Sequence, residues 1–432
     1  MSPRSSDSDL EARASAALMK LTRYWPDDPL TFVTGHGSHL CTPEGEEYLD
    51  LFGGVATVSV GYGNPHLASA IAHQAGQLIH MSELYLNPVV VAAAERLGEI
   101  APRGLTKCRF VNSGSEANEL AANIVMRATG KTGLLALEHA YHGRTPIARS
   151  LTYQQGWRNA PPYVHNVQFV PNPYALRRPK GMGEPDFYRW CLDRTEAAIK
   201  HAHGGAKANF AGLWVEPIQG NGGVIMGPSR YYDELIKLVH AYGGLVVADE
   251  VQTGFGRTGL WFGCQHWSET PDIVVMAKGI AGGFPMGAVS TTPGIAAAMD
   301  DFLDFNTYGG NPLACAAMLA TIEEIESLRD NIGACGAQLA EGLCGLVREF
   351  PVIAEVRGQG LMLGVEFDDD GTLDPNPKLM AKLHMRLRER HVLVGKGGPE
   401  GNIMRIKPPY CLTEQEADTF LVALRESLEQ IN

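Results

Sequence analysis

The sequence has no Cys-x-x-Cys pair, no long basic run, no tandem repeat and no apolar stretch long enough to span a bilayer. Each absence removes a class of function. The eight cysteines (Cys41, Cys108, Cys191, Cys264, Cys315, Cys335, Cys344 and Cys411) are scattered and no histidine cluster accompanies them. That argues against a disulfide framework or a metal site and predicts reduced thiols. With 36 basic against 48 acidic residues and a net charge of -12, the chain lacks the electrostatic footprint of a nucleic-acid binder. No membrane partner is expected. Residues 1–20, MSPRSSDSDLEARASAALMK, lack the apolar core of a secretory signal and mix serine and arginine with acids. A cytoplasmic location and small-metabolite partners are the resulting expectations.

What is present is a large apolar fraction, 45% of 432 residues, enough for a sizeable core and for two or three domains. Near-continuous apolar runs at 134–140, 210–217, 244–250 and 272–278 read as strands buried on both faces of a largely parallel sheet. Helical spacing in PSRYYDELIKLVHAYGG between two of them fits a crossover helix ending in glycines. After Pro312 the pattern becomes a long helix, then shorter mixed elements and a C-terminal helix from Thr413. The expected division is an N-terminal segment over 1–60, carrying a hairpin and packing with the small domain, a large α/β domain over 61–311 and a small α+β domain over 312–432. The stretch from about 153 to 190, rich in proline, glycine and aromatics, reads as a long surface or active-site loop.

Three features converge on one chemistry. Lys278 follows an apolar run in VVMAKGIAGGFP, at the strand end where α/β sheets bind ligands. A desolvated lysine there forms Schiff bases with carbonyl compounds, although a lysine reaching solvent is the plainer alternative. In FVNSGSEAN, Gly114 and Ser115 fall at a helix N-terminus whose free N–H groups would cradle a phosphate; a simple serine cap with glutamate three residues on reads equally well. Asp249 closes the apolar run LVVAD, where a buried carboxylate needs a cation or good donors. An imine-forming lysine, a phosphate cradle and an acid for a protonated ring nitrogen together describe a pocket for pyridoxal 5'-phosphate (PLP). Two decoys are set aside. GFGRTG at 254–259 matches Gly-x-Gly-x-x-Gly but no helix pattern follows it, and TGKTG at 129–133 lacks the upstream glycine of a P-loop.

The motifs NSGSEA, AYHGRT, VEPIQGNGG, ADEVQTGFGRTG, MAKGIAGGFPMGAV, NTYGGNP and MRIKPPYCLT resemble those of the class III aminotransferases, PLP enzymes of fold type I. LFGGVATVSVGYGNPH and VIAEVRGQGLMLG look most like the alanine-glyoxylate aminotransferase 2 branch. The resemblance implies an α/β fold with a large, mainly parallel sheet domain and a smaller α+β domain drawn from both termini. It also implies roles. Lys278 resembles the Schiff-base lysine and proton shuttle, and Asp249 the partner of the pyridine nitrogen. Gly114 and Ser115 resemble phosphate ligands, with Ser113 and His142 beside the cofactor. Tyr141 and Val251 match the residues on the two ring faces, Gln252 the contact to the phenolic oxygen, and Glu216 the acid that orders the pocket. Thr307 matches a residue that reaches the phosphate from the neighbouring subunit, so a homodimer is implied.

Arg405 resembles the arginine that grips a substrate carboxylate, a role suited to a planar guanidinium. Some relatives place a glutamate where this chain has Asn221, pairing that arginine and switching it off. Arg144 departs from the alanine-glyoxylate branch and matches an arginine that meets a distal carboxylate in ornithine- and 4-aminobutyrate-type relatives. The implied reaction is ping-pong transfer of an amino group from alanine or a short β- or ω-amino acid to glyoxylate, pyruvate or 2-oxoglutarate. A PLP phospho-lyase acting on a phosphorylated amine such as ethanolamine phosphate, and a non-catalytic PLP-binding regulator, are the rival readings.

Overall fold

A computed structural model describes residues 7–154, 156–158, 166–201, 209–369 and 371–431. Its centre is a seven-stranded sheet in the spatial order Lys107–Val111, Gly287–Thr291, Ile273–Met276, Leu245–Asp249, Phe210–Val215, Gly133–Leu137, Val167–Val170. From Ile273–Met276 to Val167–Val170 every neighbouring pair is parallel. The apolar runs form these strands because both faces are covered. On one side Ala121, Ile124 and Val125 of the helix Gly114–Thr129 meet Trp214, Val247 and Val275. On the other, Glu184–His201 and Ser229–Ala241 bring Leu192, Leu235 and Val239 onto Leu135, Leu213 and Val246.

Gly287–Thr291 runs antiparallel to both its neighbours. Only residues 277–286 separate it from the preceding strand, and a parallel return needs a crossover of about a dozen residues or more. The chain must therefore turn straight back, and Lys278 sits in that turn.

The N-terminal hairpin His39–Cys41 with Glu47–Asp50 joins Thr34–His36 in a small sheet. Val392–Leu393 adds to it in parallel, opposite Leu49 and Asp50. A further sheet holds Ile353–Gln359, Met362–Phe367, Ile403–Ile406 and Gly395–Gly397. The helix Pro312–Glu349 starts at Asn311, whose side chain accepts from the Ala314 N–H at 2.8 Å. The last helix, Glu414–Glu429, starts in a reciprocal capping box between Thr413 and Glu416. One continuous core runs from Leu67 and Leu97 through Met276, Ala317 and Leu339 to Leu363 and Leu424, so the proposed domains share a packed interior.

The stretch 153–190 is not one long loop. It contains the edge strand Val167–Val170 and the start of the helix at Glu184; residues 155 and 159–165 lie outside the described residues. A four-residue edge strand between polar and proline-rich flanks leaves almost no periodicity to read. Among the described residues all eight cysteines are free thiols, and no helix is long and apolar enough to cross a membrane.

The long helix offers a paired stability test. A Cβ on Gly336 would stand 2.9 Å from the Gly360 backbone, whereas one on Gly345 meets nothing within 4 Å. Gly336→Ala should cost about 1–3 kcal/mol through overpacking, and Gly345→Ala should add up to about 1 kcal/mol through helix propensity. Denaturant unfolding of the two variants side by side checks the opposite signs.

Candidate active site

The carboxyl ends of the parallel strands open onto a cavity of about 340 Å³. Ser113, Gly114, Ser115, Tyr141, His142, Glu216, Asp249, Val251, Gln252 and Lys278 all line it. These come from five separate places in the chain, and the fold brings them together.

Asp249 is buried at the end of its strand. Its Oδ2 accepts from Asn118 Nδ2 at 2.9 Å and from His142 Nδ1 at 2.8 Å, and its Oδ1 from the Val251 N–H at 3.1 Å. An ionised carboxylate only accepts, so Nδ1 of His142 carries the proton. Asn118 is itself held by Trp214, whose Nε1 donates to Asn118 Oδ1 at 3.0 Å. About four acceptor positions belong to a carboxylate. Three are taken by these donors, and one remains for a protonated ring nitrogen.

The cradle at the other end is built by the helix Gly114–Thr129. Ser113 caps it, accepting from the Glu116 N–H at 3.2 Å, and this leaves the first helical N–H groups at Gly114 and Ser115 beside the cavity. The cap and the anion cradle are thus the same structure. Ser115 Oγ accepts from the Arg144 N–H at 3.1 Å and keeps its own O–H to donate. Glycines are needed for the close approach: a Cβ on Gly143 would stand 2.5 Å from Ser115 Oγ, and one on Gly114 3.0 Å from Val251 Cγ2.

Lys278 enters from the turn after Met276 with φ 49, a conformation that non-glycine residues rarely adopt. Burial pushes its amine below the usual lysine range, opposed by the charges of Asp249 and Glu216 and reinforced by Arg405. His139, Val224, Val55 and Ala56 also have positive φ in segments leading into the cavity walls. Such outliers collect where a site is held against local preference. Glu216 accepts from the N–H groups of Tyr141 at 2.9 Å and Gly220 at 3.0 Å, and so ties two walls together.

Arg405 is buried behind the cavity. Its Nη1 donates to Asn221 Oδ1 at 2.9 Å and its Nη2 to the Lys396 carbonyl at 2.7 Å, with the guanidinium over the Phe52 ring. Its Nε is buried without a partner. Arg405 and Asn221 are thus hydrogen-bonded to each other and neither lines the cavity, which departs from the expectation that Asn221 leaves the arginine free. Arg144 is exposed and lines no part of the cavity. Its N–H donates to Ser115 Oγ and the helix Pro146–Leu151 follows at once, while its charge acts on the phenol of Tyr141, a lining residue. Thr307 is exposed on a loop and also lies outside this chain's cavity. The GFGRTG stretch is a run of turns, with Arg257 donating to the carbonyls of Leu361 and Pro408 and stacked over Tyr410.

Sequence reading missed Asn118, Thr57, Gly143 and the 283–286 wall. Asn118 lies one helical turn after Gly114, on the same face, and that spacing was the available signal. The residues fit PLP: a helix N-terminus for phosphate, a remaining acceptor position on Asp249 for the ring nitrogen, and a desolvated amine for the aldehyde.

The family model for class-III aminotransferases matches residues 25–428. A mitochondrial alanine–glyoxylate aminotransferase 2 homolog 2 of Arabidopsis thaliana is 37% identical over 408 residues, covering 93% of this chain and 83% of that protein. Among solved structures, an (S)-enantioselective omega-transaminase from Thermomicrobium roseum aligns with a TM-score of 0.91 at 31% identity, over 99% of this chain and 100% of that one. A phospholyase from Arthrobacter in complex with phosphoethanolamine aligns with a TM-score of 0.90 at 32% identity, over 98% and 100%.

Burial pushes the Glu216 carboxyl up to about 7 from 4.5, with Asp249 adding to the rise and His142 and the two backbone donors opposing it. The folded protein then holds that proton to a higher pH than the unfolded chain, so this group's contribution to stability falls as pH rises from about 4.5 to about 7. The full change is on the order of 3 kcal/mol. Denaturant unfolding of cofactor-free protein across that window should show a shallower pH slope for Glu216→Gln than for the parent. Parallel slopes would assign the dependence to other buried acids.

Proposed function

We propose that this chain, which belongs to the class III aminotransferases, moves an amino group from alanine or a short β- or ω-amino acid to glyoxylate, pyruvate or 2-oxoglutarate. The activity itself is PLP-dependent transamination. The observation that carries the residue assignment is the convergence of Lys278, Asp249 and the Gly114–Ser115 helix end on one cavity. When bound, PLP supplies an electron sink that stabilises negative charge on the substrate carbon.

The chain's own residues do the rest. Lys278 would hold the cofactor's aldehyde and, with its amine free, would serve as the base for the proton on the amine-bearing carbon. Burial lowers its proton affinity, the direction a general base requires. Asp249, steadied by Asn118 and His142, keeps the ring nitrogen protonated. Gly114 and Ser115, with Ser113 closing the helix end, hold the phosphate. Tyr141 and Val251 cover the ring faces, Gln252 meets the phenolic oxygen, and Glu216 fixes the Tyr141 and Gly220 walls. Thr307 serves the cofactor of a second copy, which fits its exposure here and makes the working unit a homodimer.

Substrate choice follows from Arg405. Asn221 gives it a neutral amide oxygen, so the guanidinium keeps its charge for a carboxylate close to the reacting amine. A glutamate at this position would neutralise it. Asn221→Glu should therefore raise KM for alanine about tenfold while sparing amines without a carboxylate, as read from initial rates with both donor types.

The first test is the visible spectrum of the PLP-loaded protein with L-alanine, with Lys278→Ala as control. Loss of the cofactor band on adding alanine and its return with glyoxylate, pyruvate or 2-oxoglutarate is the expected result, and the acceptor that restores it fastest ranks the partners. Phosphate release from ethanolamine phosphate with no response to alanine would instead support lyase chemistry.

A further inference from the structure

The segment after Arg405 carries a second buried cation at the back of the same cavity. Lys407 is fully buried, and its Nζ donates to Gln252 Oε1 at 2.6 Å. Its backbone leaves it little freedom. The Lys407 N–H donates to the Leu51 carbonyl at 2.6 Å, and Pro408 and Pro409 follow at once, each with φ locked by its ring. On the other side its carbonyl would stand 2.7 Å from a Cβ on Gly53. The amine is a fixed post.

We propose that Lys407 is a positioning residue that locks the Gln252 carboxamide with its N–H end toward the cavity. An ammonium has donors and no acceptor. Oε1 of Gln252 faces it, which turns the amide nitrogen toward the cavity that Gln252 lines with Lys278 and Asp249. The opposite side of the carboxamide is closed by Gly220: a Cβ there would come within 2.4 Å of Oε1 and 2.5 Å of Nε2. Lys407 faces one end of the amide, and the close approach of Gly220 leaves the group no room to slide.

Burial pushes the Lys407 amine well below the usual lysine range; Arg405 and Lys278 act in the same direction, Glu216 opposes and Arg257 adds to the fall. The amine gives an N–H to Oε1 with or without its third proton, but it enforces the orientation only while protonated, since a neutral amine also has a lone pair that can accept from Nε2. Placing a second lysine in this position costs desolvation free energy, and a carboxamide held in one orientation is what that cost secures.

This inference rests on Gln252 meeting the phenolic oxygen of the cofactor, and the test separates the two. The PLP-loaded parent, Lys407→Met, Gln252→Ala and the double variant are titrated with pH, following the midpoint of the cofactor's visible band, alongside cofactor affinity of the apo-proteins and thermal melts. Removing a donor or a cation beside a titrating group raises its midpoint. Gln252→Ala and Lys407→Met should each raise it by about half a unit or more, with the Lys407→Met shift reduced to less than half in the Gln252→Ala background. No shift in Gln252→Ala would remove the reading of Gln252 and with it the inference. A shift in Gln252→Ala but none in folded Lys407→Met, or a Lys407→Met shift of equal size in both backgrounds, would overturn the positioning role alone. If the methionine variant does not fold, Lys407→Gln enters the same cycle with the same criteria.

Discussion

The structure depends on supplying donors to a carboxyl group inside a protein. Asp249 stands at the end of a central strand, and an isolated charge there would cost several kcal/mol or take up a proton. Asn118, His142 and the Val251 N–H answer that cost, and each partner is fixed in turn: Asn118 by Trp214, and His142 by its own N–H donating to Thr152 Oγ1 at 3.0 Å. The sheet order follows the same demand. Only where neighbouring parallel strands end together can a helix start, a histidine loop and a strand tip meet around one acid.

The cations at this end of the sheet outnumber the acids. Lys278, Arg405 and Lys407 are all held below their usual proton affinity by burial, and Lys407 and Lys278 are depressed further by their cationic neighbours. Asp249 and Glu216 are the nearby acids. A site with that surplus is complementary to ligands that bring negative charge, and a phosphorylated cofactor and a carboxylate substrate both do. The charge distribution and the chemistry assigned to it are therefore one argument seen from two sides.

Much of this was legible in the chain. The four apolar runs became strands with ends shifted by at most three residues, because burial on both faces leaves the same signature whatever the topology. Lys278, Asp249 and the Asn-Ser-Gly-Ser turn were legible because each breaks a local pattern: a charge closing an apolar run, or a cap followed by glycine. The edge strand at Val167–Val170 and the antiparallel Gly287–Thr291 were not, since the first is short and half-exposed and the second obeys a constraint on connection length. Arg144 shows a related limit. Its motif places the backbone correctly, at Ser115, while the side chain's direction depends on the helix that follows.

The partners that matter most were the least visible. Asn118 looks like any polar residue in a helix, and Lys407 like a charge between strand and prolines, until the fold sets them against Asp249 and Gln252. Sequence patterns report what a residue does to its own segment, whereas these side chains act across 131 and 155 positions of chain. Lys278 stands between the two cases. Its positive φ is a conformation that glycine would adopt without strain, and three glycines lie within five residues of it, at 279, 282 and 283. That a lysine occupies the one strained position beside so many glycines means that the backbone there is set by the surrounding turn and the side chain by the cavity. A residue kept where its backbone is uncomfortable is one whose side chain has no substitute.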